Sequence, residues 1–204
     1  IQVAAALALN ITNHKAFATI SGIITANTLQ LLADNDGNFR TRGSAAAMSL
    51  AQSSNAIAAG IAISVNNNEA VATLGGSVTT SQAPPAEGAL PGLRIQAQLT
   101  QNMDGDYKGA LGAQALAGSV SGSSAKATIS VAIAVIVSHA VTKAIIADNA
   151  RLTGADIEIS AADKSKLALR ADGLTISKGT SVGIGASFAI VYGNNVVEAD
   201  IGDN

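Results

Sequence analysis

The sequence predicts an all-β fold: a β-solenoid of the parallel β-helix kind, built from repeats of about 55 residues. Three observations predict it. One apolar pattern recurs four times along the chain at near-constant spacing. Within each copy the apolar residues fall on every second position, which is the period of a strand. The one long spacing coincides with a segment holding all three prolines, the kind of surface insertion that stacked repeats tolerate.

The copies begin at Val3, Ile57, Ile129 and Ile184, so the spacings are 54, 72 and 55. The first reads Val3, Ala5, Leu7, Leu9, Ile11 at alternate positions, and the second Ile57, Ala59, Ile61, Ile63, Val65. The third reads Ile129, Val131, Ile133, Val135, Val137, and the fourth Ile184, Ala186, Phe188, Ile190, Tyr192. Between them stand small residues such as Ala58, Gly60, Ala62, Ser130, Ala132 and Ala134. A helix would need apolar spacings of three and four, and Gly mixed with β-branched residues would weaken it. Neither face of this strand is charged, which suits a strand covered on both sides. The small face would let another sheet approach closely; the alternative is that it faces solvent.

An Asn-rich step follows in three copies: Thr12-Asn13-His14, Asn66-Asn67-Asn68 and Gly193-Asn194-Asn195, with Ser138-His139-Ala140 in the remaining one. Asn adopts left-handed backbone readily, so these steps are expected to be turns. A second strand then follows, as in 70–74 and 197–201. A third shows clean apolar/polar alternation in Leu93 to Leu99, with counterparts at 29–31 and 156–160. A fourth lies near 167–170, with 45–50 and 110–116 in the equivalent places. One unit therefore holds four or five strands, either as two coils of about 27 residues or as one wide coil. Antiparallel β-sandwich repeats are the alternative architecture. The whole chain, 1–204, reads as one continuous array with units near 1–55, 56–125, 126–181 and a partial 182–204. The long unit is explained by a proline-rich loop at 81–92.

Composition narrows the function. Charged residues are 13% of the chain, and the net charge is −2 with a pI near 5.6, so no basic face steers it towards nucleic acid. Aromatics are 2% with no Trp, which argues against an aromatic-lined ligand pocket. The absence of Cys removes disulfides and zinc–sulfur sites. The apolar runs, such as Ile129 to Val137, are too short to span a bilayer as a helix, so no membrane insertion is expected. The chain opens on Ile1 rather than Met and stops within a repeat, which reads as a piece of a larger protein.

One stretch carries a family resemblance. Val182-Gly183-Ile184-Gly185-Ala186-Ser187-Phe188-Ala189-Ile190 runs to Asn194-Asn195, then to Glu198-Ala199-Asp200-Ile201-Gly202-Asp203-Asn204. This resembles the repeat region of giant filamentous adhesins of Gram-negative bacteria, of the leukotoxin and filamentous-haemagglutinin-like types. The resemblance covers nearly the whole chain outside the proline loop. It implies a β-solenoid stalk or filament, extracellular and held at the bacterial cell surface. The implied partners are neighbouring repeats or identical chains end to end, and a host or neighbouring-cell surface. It supplies no catalytic residues.

The candidate sites are few. His14 and His139, the only histidines, stand at nearly corresponding turn positions without ligand-spaced partners, and read as solvated turn residues. Asp34 and Asp36, and likewise Asp104 and Asp106, alternate with Asn or Gly as in calcium loops. Neither run completes such a loop, and the same triplets serve as turns. Asp148-Asn149 and Asp203-Asn204 repeat a turn of this kind. Gly183-x-Gly185 precedes a strand, so it lacks the helix that a phosphate loop needs. Glu158 and Asp163 are placed on the polar face of the third strand. Asn10-Ile11-Thr12 fits a glycosylation sequon within a strand. The expected function is a structural or adhesive filament segment and not an enzyme. The alternatives are a β-helix carbohydrate-active enzyme or glycan-binding module, and an ice-binding solenoid. The last needs a Thr ladder that Thr19, Thr73, Thr153 and Thr175 are not expected to form.

Overall fold

The computed structural model describes residues 1–37, 40–49, 55–81, 92–101, 112–121, 127–154, 156–177 and 182–203. Thirteen strands and no helix occur among them. The first coil holds β1 (Gln2–Ile20), β2 (Ile23–Ala26), β3 (Leu29–Gly37) and β4 (Arg40–Ser49). The second holds β5 (Ala56–Leu74), β6 (Ser77–Thr80), β7 (Leu93–Gln101) and β8 (Gly112–Ser121). The third holds β9 (Ala127–Ile146), β10 (Arg151–Thr153), β11 (Ile157–Asp163) and β12 (Ala168–Ser177), and β13 (Val182–Ile201) opens a fourth. Equivalent strands stack in parallel into four sheets: β1-β5-β9-β13, β2-β6-β10, β3-β7-β11 and β4-β8-β12. This is a β-solenoid of wide, single coils, not of two 27-residue coils per repeat and not an antiparallel sandwich.

Register follows the repeat. Val3 pairs with Ile57, Ile57 with Ile129, and Ile129 with Ile184. The long second coil contains two insertions, not one. Partners lie 54 apart at β2–β6, 64 apart at β3–β7 and 72 apart at β4–β8. Ten extra residues therefore enter in the proline segment, most of which lies outside the described residues, and eight more enter between Gln101 and Gly112.

The Asn-rich steps are not turns. They run straight through β1, β5, β9 and β13, which are 19 or 20 residues long. Asn66 and Asn68 point inward and are almost fully buried. Stacking provides their partners: Thr12 Oγ1 donates to Asn66 Oδ1 at 2.7 Å, and the His14 amide to Asn68 Oδ1 at 3.1 Å. Asn66 Nδ2 donates to Ser64 Oγ at 3.1 Å. From the third-strand sheet, Asn35 Nδ2 donates to the carbonyls of His14 and Glu69, at 2.9 and 3.1 Å. Side chains thus supply most of the partners of a polar waist inside the coil, although Asn68 Nδ2 finds none among the described residues, and the backbone has no need to turn there.

The waist divides the cross-section. On one side lies a wedge filled by ordinary apolar side chains, with Leu74 and Ile146 meeting Val78, Leu93 and Ile95. There the third strand alternates as its sequence predicts: Leu93, Ile95, Ala97 and Leu99 are buried, and Arg94, Gln96 and Gln98 face out. On the other side lies a thin blade. Its filling is small: Ala56, Ala58, Ala62, Ala132 and Ala134 meet Ala113, Ala115 and Ala117 of β8. The two sheets nearly touch backbone to backbone. A Cβ added at Gly60 would lie 2.9 Å from the Leu116 carbonyl carbon, and one at Gly43 would lie 2.8 Å from that of Ile61.

The small face of the long strand is therefore the inner one, in close contact with another sheet. The larger residues face out.

Candidate functional site

The outer face of the long sheet is built column by column by the register. Five successive outward columns run from Val3/Ile57/Ile129/Ile184 to Ile11/Val65/Val137/Tyr192. All twenty positions are Ala, Val, Ile, Leu, Phe or Tyr. No described element packs on them from outside, because the contacts of β5 and β9 with other sheets come from their opposite faces. In the middle coils these side chains are half-buried by their neighbours along each column, as in β5 and β9. In the outermost strands they are open: Ile11 is 69% exposed and Tyr192 63%. The apolar area stops at the sixth column, Asn13/Asn67/His139/Asn194. Beyond it the columns are mixed: ion pairs run between rungs, Lys15–Glu69 at 2.9 Å and Lys143–Glu198 at 2.5 Å, beside the apolar Phe17, Val71, Val141 and Val196. These pairs are part-exposed, so each contributes little to stability.

The second surface is the pair of outermost rungs. β1 and β13 each present one long edge to which no described strand is bonded. Such an edge is a template for another strand of the same pitch.

The residues singled out from sequence are dispersed. His14 and His139 occupy adjacent columns on opposite faces: His14 pairs in register with Asn68 and Ala140, His139 with Asn67 and Asn194. They are not equivalent turn residues. His139 Nδ1 lies 3.1 Å from the Asn194 carbonyl oxygen. Asp34 and Asp36 are exposed on β3, on either side of the inward Asn35, within a strand and not a loop. Asp104 and Asp106 lie outside the described residues. Among the described residues no three His, Asp or Glu side chains come together as metal ligands. Asp148-Asn149 does form a corner. Asn149 has φ of 62°, its amide donates to the Asp203 carbonyl at 3.2 Å, and the Asp203 amide donates to Asp148 Oδ1 at 3.1 Å. Gly183 and Gly185 lie within β13, as does Asn10 within β1.

Asp163 differs from expectation. It pairs with the inward Leu99, so it belongs to the interior column, whereas Glu158 faces out and binds Arg94 at 3.0 Å. Its carboxylate closes the waist from below, accepting from the Ser165 amide at 2.8 Å and from Asn195 Nδ2 at 2.8 Å. A Thr ladder also exists that the sequence reading did not find. Thr25, Thr79 and Thr153 stack outward on the short second-strand sheet. It is one column of three rungs, beside Ile23, Ser77 and Arg151. The signal was the shared Thr two residues into each short strand, hidden because strands of three or four residues have no visible period.

No family model, curated protein or solved structure matches the chain.

Proposed function

We propose that this chain is a structural and adhesive segment of a large exported bacterial repeat protein, a stalk or extracellular filament held at the cell surface, and that it is not an enzyme. The carrying observation is the parallel, in-register stacking of every sheet. Each coil is both a template for the next and a cover for the last, so length grows with coil number while the cross-section stays constant. Between the first two coils, Thr12 bonds Asn66 and the His14 amide bonds Asn68, which favours this register, because an Asn displaced by one residue would leave the interior for the outer face. Three ion pairs also run between rungs, in register with the stack. The open edges of β1 and β13 are templates for a neighbouring rung, from the same chain or from another copy. Electron microscopy with fibre diffraction tests this. Thin rods with an axial repeat of about 4.8 Å are the expected result, and compact particles without axial order would refute it.

A further inference from the structure

We infer that the outer apolar face of the long sheet is a pairing surface for a second copy of this chain, so that two rods lie side by side with their blades face to face. Four features of the face select that occupant. The first is size. Five columns by four rungs make a footprint of roughly 33 by 19 Å, about 630 Å² a side. Two such faces together exceed the roughly 1,000 Å² at which a specific interface becomes plausible. Each further coil would add about 160 Å² at the same strand spacing.

The second is chemistry. The face has no charged and no amide side chain, so it has nothing to recognise a charged ligand or polymer, and an apolar copy of itself is its complement. The third is pitch. Its ridges repeat at about 4.8 Å along the rod and about 6.6 Å along the strand, and a second copy presents the same two spacings. The fourth is the border. A column of three Asn and His139, then columns that mix two ion pairs with apolar side chains, bound one side of the wholly apolar area, giving an apolar centre with a more polar rim on that side.

A two-fold axis parallel to the rod axis fits these features. It overlaps apolar half with apolar half and leaves the halves that carry the ion pairs outside on opposite flanks. Facing sheets then run antiparallel, with Ile61 opposite Ile61 and Ile133 opposite Ile133 about the dyad. The inference rests on the rod of the preceding section but not on its end-to-end growth: thickness reads pairing, and length reads stacking.

The test is X-ray scattering and sedimentation on the 204-residue chain, wild type against the Ile61→Lys/Ile133→Lys double variant. Both positions point outward and are only half-buried, so a lysine can extend into solvent. The expected wild-type particle is two rods thick. The expected variant is one rod thick, with an unchanged length distribution and at least about ten-fold weaker pairing, as central interface positions give. The double variant Ile61→Thr/Ile133→Thr keeps β-branching and guards against a folding failure; it should retain the strand signal in circular dichroism and also pair more weakly. Since the chain has no Cys, Ile61→Cys with a short bismaleimide should give a covalent dimer, and Gln96→Cys on the polar sheet should not. A wild type one rod thick, or equal cross-linking from both positions, overturns the inference. So does a single-thickness rod that floats with phosphatidylcholine vesicles and loses this on Ile61→Lys/Ile133→Lys, which would make the partner a lipid surface.

Discussion

Replacing Gly60 by alanine should force the blade open. Gly60 faces inward from β5, and the atoms opposite belong to the Leu116 backbone. The new methyl would lie 2.9 Å from the carbonyl carbon and 3.3 Å from the amide nitrogen, and closer still to the carbonyl oxygen. Unstrained carbon contacts begin near 3.5 Å. No rotamer change can relieve a clash with backbone, so β5 and β8 must separate by roughly 0.5–1 Å, which loosens the flanking Ala58–Ala62 contacts with Ala115 and Ala117. Overpacking of this kind costs about 1–3 kcal/mol. Against it, Gly→Ala narrows the unfolded ensemble and returns about 0.4–1 kcal/mol. The net expectation is a loss of about 1.5 kcal/mol, or roughly 3–6 °C in melting temperature for a chain of this length. Urea unfolding followed by far-ultraviolet circular dichroism reads it as a lower midpoint with an unchanged slope. Gly118→Ala is the control, because a Cβ there meets nothing within 4 Å, and it should be neutral or slightly stabilising. Gly43→Ala presses on the neighbouring Ile61 carbonyl, so the double variant should lose less than the sum of the two singles. If Gly60→Ala unfolds at the wild-type midpoint or above it, the two sheets are not in backbone contact and the blade is wrong.

Substitutions at three further positions probe the interior and one corner. Thr142→Val should raise the urea midpoint by about 1 kcal/mol, because the Thr142 hydroxyl is buried and finds no hydrogen-bond partner among the described residues; a fall would reveal a bonded hydroxyl. Asn66→Ala should lower stability by about 2–3 kcal/mol in the same assay, since it removes a buried amide and strands the Thr12 and Ser64 hydroxyls; no change would mean the waist is hydrated. Asn149→Val should cost about 1–2 kcal/mol because a β-branched residue resists φ of 62°, whereas Asn149→Gly should melt at the wild-type temperature.

Much of the architecture was legible because repetition gives register directly: Val3, Ile57, Ile129 and Ile184 align in sequence and then pair in space. What misled was local chemistry. Asn66-Asn67-Asn68 reads as a turn on propensity alone, and only the coil stacked beside it, with Thr12 and His14 as partners, makes a straight strand with buried Asn side chains better than a turn. The choice of inner face was equally hidden. Period-2 alternation separates two faces without saying which is inside. The deciding element is the opposing strand, where Ala113, Ala115 and Ala117 leave a gap filled mainly by Ala, Gly and Ser, with Thr128 and Ile136 as the larger exceptions. That signal was present in the sequence as the small-residue run of the fourth strand. Asp163 was misplaced for a simpler reason: it is five residues from Glu158, an odd number, so the two cannot share a face of one strand.

The inverted placement of large and small residues has an energetic consequence. Hydrophobic stabilisation scales with apolar area removed from water, at about 25 cal/mol per Å², and the blade removes mostly methyl groups. Its rungs are therefore held chiefly by the backbone ladders and by close dispersive contact between sheets, while the wedge, with Leu74, Leu93, Ile95 and Ile146, supplies the conventional core. The larger apolar side chains of the blade gain only what stacking along their columns gives. In the middle coils they are half-covered, and in β1 and β13, with a column neighbour on one side only, they are mostly open. Two routes cover the remainder: adding coils, which hides column ends, and pairing faces, which hides the columns themselves. The first lengthens the rod and the second thickens it. A solenoid with a polar exterior would gain from the first alone, so stability that rises with protein concentration as thickness doubles is the behaviour expected of this face and not of rod growth alone.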